Sequence, residues 1–193
     1  TTATRVFNPP APGTPQWRKT ISASKIPSLV KNEHGEYSGF GYDSAWEVWR
    51  TMTSDYTKEY DEDTLAMFAE GHDAEPSAIQ RALRHLAEDT GTGVNEWRVE
   101  TQASFTDPEL PFDNIATLDA LVTHPVLGLR VNIEAKRPRF STFRPGWIVQ
   151  TKVQAGTAKT DYGLIVTDPI YGDPEVFRVK NDPDEYAKIM AHV

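Results

Sequence analysis

The heptapeptide "NIEAKRP", residues 132–138, decides the fold. It ends a β-prone run, "GLRVNI", and places a glutamate and a lysine just before a basic turn with proline. Successive side chains on a strand point to opposite faces, so Glu134 and Lys136 share one face while Ile133 and Ala135 turn to the other. An acid and a base side by side on the end of a buried strand are either a surface ion pair or a working site.

Upstream, "NIATLDALV" reads as another strand, separated from the first by the turn "THPVLG". It carries Asp119, with Leu118, Ala120 and Val122 expected to face the core. If the two strands are neighbours, Asp119 and Glu134 converge at one end of a sheet. Hard cations such as Mg²⁺ take oxygen ligands, typically one or two carboxylates with substrate phosphate and water. Asp119 and Glu134 supply that donor set, and Lys136 would place an ammonium where it can orient a nucleophilic water and offset charge on a phosphate.

The longest helical pattern runs from Thr64 to about Ala87, with Leu65, Phe68, Ile79, Ala82, Leu83 and Leu86 at a period close to 3.6. His72 and Glu75 project into the same stripe, and Glu75 would complete a carboxylate cluster. Gly71 and Pro76 predict a kink or break between them. Farther upstream, "YDSAWEVWRTMT" predicts a helix capped by Asp43 or Ser44, with Trp46 and Trp49 on one side as core packing. "ISASKIPSLVKN" predicts a short helix capped at Ser22 or Ser24 with Pro27 in its first turn. "TTATRVFNPPAPGTPQ", residues 1–16, predicts an extended or disordered arm, with one domain over 17–193 beginning at Trp17.

Downstream of the opening stretch, "GWIVQTKVQAGTAKT" predicts a helix, "YGLIVTD" a buried strand, "EVFRVK" a further strand and "DPDEYAKIMAHV" a closing helix. With "EWRVETQASF" as an additional strand, the order implies an α/β (α+β) domain, a mixed central sheet covered on both sides.

Composition narrows the chemistry. The chain has 193 residues, 38% hydrophobic and 25% charged, as suits one globular domain. There is no cysteine, which excludes disulfides, thiolate metal sites, iron–sulfur clusters and thiol nucleophiles. A formal net charge of −8 gives no global footprint for nucleic acid. From Gly128 to Thr160, however, Arg130, Lys136, Arg137, Arg139, Arg144, Lys152 and Lys159 face Glu134 as the single carboxylate side chain. No apolar run is long enough for a bilayer and the N-terminus has no signal-peptide order, so a soluble, cytoplasmic protein without a membrane partner is expected.

Taken in order, a helix Glu, a strand Asp, a strand Glu-x-Lys and a basic helix resemble the PD-(D/E)XK nuclease superfamily, and within it the lambda-exonuclease or YqaJ-like viral recombinase group. "WRKTISASKI" resembles the family's Arg and "ITAS"-like segment, "GHDAEPSAI" its Gly-x-x-x-Glu motif, "TLDALV" its Asp strand and "NIEAKRP" its Glu-x-Lys strand. "WIVQTKVQAGTAKTDYGLIVTDP" is similar to its Gln-bearing helix and following strand. The Asp strand departs from the family's frequent Asp-Gly, and the chain is short and acidic for the group.

The resemblance implies a restriction-endonuclease-like core in which Asp119, Glu134 and the Ala135 carbonyl ligate Mg²⁺, with Mn²⁺ as the alternative and no iron–sulfur cluster. It makes Lys136 serve the attacking water, Glu75 hold the cluster or a second metal, and Gln150 contact the active site. Arg18, Ser24, Arg137, Arg139, Arg144 and Gln154 become the contacts to DNA. It further implies 5′-to-3′ resection of linear double-stranded DNA ends in phage-type recombination, a homo-oligomeric ring, and a single-strand annealing partner of the RecT or Redβ type in a bacterial host cytoplasm. The rivals are a structure-selective or restriction-type endonuclease on the same fold and a non-catalytic DNA-binding module.

Overall fold

A computed structural model describes residues 2–193. One mixed sheet organises them. Its strands are β1 (Thr4–Val6), β2 (Ile21–Ser22), β3 (Arg98–Thr106), β4 (Asn114–His124), β5 (Leu129–Lys136), β6 (Tyr162–Thr167) and β7 (Glu175–Lys180). They are ordered β1-β3-β4-β5-β6-β7, with β2 alongside the start of β4. Pairing is antiparallel except for β5 with β6 and β2 with β4, which are parallel.

The helices are α1 (Pro15–Lys19), α2 (Ile26–Leu29), α3 (Ala45–Thr53), α4 (Glu62–Thr90), α5 (Pro145–Ala158) and α6 (Pro183–Ala191). The second half of α4 covers one face through Ala78, Ile79, Ala82, Leu83 and Leu86, packed on Ala120, Val122, Val131, Ile133, Leu164 and Val166. On the opposite face, α5 is buried along nearly its whole length between the sheet, α2 and α6. The mixed sheet covered on both sides is the architecture the sequence predicts. No helix among the described residues is long and apolar enough to cross a membrane.

Local chemistry explains several boundaries. Ser44 caps α3 in a full capping box: its hydroxyl accepts from Glu47 N at 3.2 Å and Glu47 Oε2 accepts from Ser44 N at 2.9 Å. Asp61 caps α4, and Gly91 ends it in the left-handed conformation. Gly146 sits where the 38–42 segment crosses the start of α5; a Cβ there would lie 2.1 Å from the Phe40 carbonyl oxygen.

Four expectations are corrected. The regular structure starts before Trp17, because β1 adds an edge strand to β3 and α1 opens at Pro15 under a Thr14 cap. Lys25, not a serine, precedes α2, with Ser22 drawn into β2. Helix α4 runs unbroken through Gly71 and Pro76; Pro76 lies on the solvent side, and packing from Ala78 onward holds the helix.

The fourth correction concerns apolar side chains. Leu65 and Phe68 are exposed because the first turns of α4 project past the sheet. Trp46 and Trp49, 58% and 60% exposed, pack on each other rather than in the core. Helix α3 lies on α1 and α2, away from the sheet, and buries only Val48.

Tyr186 of α6 stacks over Gly156 of α5, and its hydroxyl donates to the buried Asp107 at 2.8 Å. A Cβ at Gly156 would lie 2.3 Å from the Tyr186 ring. Gly156→Ala should therefore destabilise the fold by about 1–3 kcal/mol through overpacking, read as a lower urea midpoint with an unchanged slope.

Candidate active site

The site forms where the β4–β5 ladder opens. Antiparallel pairing runs from His124↔Leu129 to Ala120↔Ile133 and stops there. Asp119 and Glu134 would be the next pair. Instead of a backbone carbonyl, the Asp119 carboxylate accepts the Ala135 amide, Oδ2 at 2.7 Å. Beyond this point β4 has β2 as its neighbour, which leaves the carboxyl end of β5 unpaired on its β4 side.

Glu134 is 3% exposed under α5. A buried carboxylate must be paired or hydrogen-bonded, and three side chains do this. Lys136 Nζ and Gln150 Nε2 donate to Oε1, the latter at 2.7 Å, while Gln154 Nε2 donates to Oε2 at 2.6 Å. Gln154 also donates to the Thr117 carbonyl at 3.1 Å, tying α5 to β4. Lys136 further donates to Gln150 Oε1 at 3.3 Å.

The charges respond as their surroundings require. Burial and the neighbouring Glu134 charge push the Asp119 carboxyl well above the usual range, against the Ala135 N–H and Lys136, which pull it down. Burial pulls the Lys136 ammonium down, but the charge and hydrogen bond of Glu134 outweigh it and keep the pKa above its ordinary value.

Glu75 comes near enough to Asp119 for its charge to add to the upward push on that carboxyl, but it shares no hydrogen-bond partner with Glu134. It comes from α4, on the face opposite α5, and its oxygens meet His72 Nδ1 at 2.8 Å and Gln102 Nε2 at 3.3 Å. His72 itself is exposed, not packed in the apolar stripe. Among the described residues no three acidic, histidine or cysteine side chains come together to hold a metal. The donors that do converge are Asp119 and Glu134, with the Ala135 carbonyl beside them. All are oxygen, and the Asp119–Glu134 repulsion is of the kind a divalent cation relieves, so the set fits Mg²⁺ or Mn²⁺ chemically.

Sequence reasoning missed Gln102. It lies in register opposite Asp119, between the pairs Thr101↔Ala120 and Ala103↔Leu118, and has a φ of +52° in mid-strand. Such a conformation in a non-glycine residue stores strain and clusters at functional sites. The strand alternation slips here: Leu118 packs with Ala158 of α5, whereas Ala120 and Val122 pack under α4. Leu118 and Ala120 thus face opposite sides, contrary to the strict alternation expected. Glutamine carries no turn or bulge signal that could have marked the position.

The expected DNA contacts divide. Gln154 is fully buried and holds Glu134, so it cannot reach DNA. Arg18 is anchored structurally, its Nη1 donating to the carbonyls of Thr51, Ser54 and Tyr56 at 2.8–3.1 Å. Ser24 is exposed and bonded to the Ser22 hydroxyl at 3.0 Å. Arg137 pairs with Asp168 at 3.1 Å. Arg139 and Arg144 are exposed, resting on the rings of Phe140 and Tyr42 at 5.6 and 4.8 Å. The Tyr42 hydroxyl accepts from Trp147 Nε1 at 2.9 Å.

Two substitutions probe this arrangement. Gln154→Leu leaves Glu134 Oε2 without its donor and should lower stability by about 1–3 kcal/mol, measured by denaturant unfolding. Asp119→Asn should raise the melting temperature in EDTA at neutral pH. A carboxyl whose folded pKa is raised contributes stability below its unfolded pKa and loses it as pH rises through the folded one. The gain from asparagine therefore shrinks on acidification, which melting curves at neutral and acid pH would show.

No family model matches the sequence, and no curated protein matches it. Solved structures do match. An alkaline exonuclease from Laribacter hongkongensis superposes with a TM-score of 0.58 at 16% identity, over 90% of this chain and 84% of that one. The same exonuclease in complex with dAMP gives 0.61 at 18% identity, over 92% and 86%. A phage-related exonuclease from Haemophilus somnus gives 0.51 at 8% identity, over 90% and 91%. At such identities what is shared is the architecture: this chain has the fold of these exonucleases, a mixed central sheet flanked by helices.

Proposed function

We propose that the protein is a metal-dependent DNA exonuclease that hydrolyses phosphodiester bonds of linear double-stranded DNA, 5′-to-3′, leaving 5′-phosphorylated products. The observation that carries this reading is that Asp119, bonded to the Ala135 amide, lies within charge range of the Glu134–Lys136 pair at the open end of the β4–β5 ladder. The exonuclease fold of the neighbours, and the dAMP complex of one of them, supports it.

The chain's own residues have separable tasks. Gln150 and Gln154 fix the Glu134 carboxylate, and Ala135 N–H fixes that of Asp119. Lys136, an ammonium beside Glu134, donates hydrogen bonds toward a phosphate or its attacking water rather than accepting a proton. Arg139 and Arg144, exposed at the mouth, meet the DNA backbone. A divalent cation held by Asp119, Glu134 and the Ala135 carbonyl would supply Lewis-acid polarisation of the phosphate and a more acidic water.

The proposal extends to assembly. A homo-oligomeric ring on duplex ends, working with a single-strand annealing protein in a phage-type recombination system of a bacterial cytoplasm, is the setting implied by the resemblance. The exposed Leu65, Met67 and Phe68 on the projecting turns of α4 support contacts between subunits.

The test is digestion of linear duplex DNA, with a closed circular control, in Mg²⁺ and in EDTA. Loss of linear DNA alone, in Mg²⁺ alone, is expected, and Lys136→Ala should lower the rate by about 10²–10³-fold. Cutting of the circle would replace this reading with an endonuclease. Binding without cleavage under every condition would leave a DNA-binding module.

A further inference from the structure

Beyond Lys136 and Thr167 the parallel pairing of β5 with β6 does not end. It continues through the two following loops: Asp168 N donates to Lys136 O at 2.8 Å, Ile170 N to Pro138 O at 2.9 Å, and Tyr171 N to Arg139 O at 3.0 Å. At the far end of this extension Phe140 and Tyr171 form a bridge, and their rings stack with centroids 5.7 Å apart and planes at 28°. They remain 55% and 59% exposed. The nearby Phe143, by contrast, is used for packing on Trp147 and Phe177. An aromatic pair held in place by backbone hydrogen bonds and turned to water, a few residues past the site lysine, is preorganised for a ligand.

The surroundings indicate which ligand. The Arg139 guanidinium lies 5.6 Å from the Phe140 ring centroid, and Arg139 and Arg144 make no ion pair among the described residues. A flat aromatic pair with a free cation beside it, Arg139, matches a polymer that alternates aromatic bases with phosphates. Bases within a duplex are already stacked on both sides, so a free ring face suits an unpaired one. We propose that Phe140 and Tyr171 are a stacking platform for unpaired bases of a DNA strand at the mouth of the site. The proposal rests on DNA being the substrate and adds the part of it that is read there.

Fluorescence anisotropy in EDTA separates stacking from phosphate attraction. The probes are a labelled oligothymidine and an abasic oligonucleotide of equal length and equal phosphate count. The wild type should bind the base-bearing strand at least about fivefold more tightly for each stacked base. Phe140→Ala and Tyr171→Ala should bring the two affinities together, Tyr171→Phe should keep them apart, and Arg139→Ala should weaken both strands alike. Equal affinities in the wild type, or a preference that survives both alanine variants, overturn the platform. If that same wild type digests linear DNA, the platform alone has failed; a wild type that neither binds nor digests DNA removes the exonuclease reading as well.

Discussion

The burial of Glu134 is the constraint on which the rest of the site depends. Removing an unpaired carboxylate from water costs several kcal/mol even after relaxation, so the fold must deliver donors to both of its oxygens. Those donors come from Lys136 on the same strand and from Gln150 and Gln154 on α5. The two glutamines are four residues apart, one helical turn, and both reach Glu134 only if α5 lies at one height and rotation over the sheet. The polar cluster thus sets the register of a helix that apolar packing alone would leave free to slide. Close approach to its neighbours is what permits this placement, which is why a glycine stands under Phe40 at one end and under Tyr186 near the other.

Asp119 is held by the opposite logic. Its surroundings favour the neutral form, through burial and the Glu134 charge, while the function proposed for it needs the charged one. The sheet accommodates it only by giving up regularity: the ladder stops, the alternation of β4 slips, and Gln102 takes a left-handed backbone opposite it. Glu75 reaches this point from the α4 side and Glu134 from the α5 side, so the slip is where the chemistry of the two faces meets. Local order has been exchanged here for proximity of like charges, as is common where a site must bind something that neutralises them.

The core of this arrangement was legible because strand geometry is rigid. A period of two put Glu134 and Lys136 together and separated them from Ile133 and Ala135, and the structure keeps that division. The cap of α3 was legible to within one residue, Asp43 or Ser44, because capping is a local bond at fixed spacing; the structure selects Ser44. What failed were inferences needing a third body. Leu65, Phe68, Trp46 and Trp49 show a sound apolar period, yet no period reveals whether a sheet lies beneath a helix face. Gln154 looked like a surface donor because its partner, a buried Glu134, is known only once α5 is docked. Gln102 gave no sign, because nothing in a glutamine marks a positive φ in mid-strand.

Charge distribution follows the same pattern of local demand. The basic stretch after Gly128 looks in sequence like one cationic surface, but folding divides it. Lys136, Arg137 and Lys152 pair with Glu134, Asp168 and Glu185, and the Arg130 guanidinium binds the Ala158 carbonyl at the end of α5. Among the described residues Arg139, Arg144 and Lys159 have no carboxylate partner, and Arg139 and Arg144, the two that follow the site lysine, each lie beside an aromatic ring. An acidic protein of this kind repels a polyanion over most of its surface and attracts it where the unpaired cations stand. At physiological ionic strength exposed charges are screened over about 8 Å. On the proposed function, the acidic remainder would weaken DNA binding little once a strand is seated, while still disfavouring contacts away from the site.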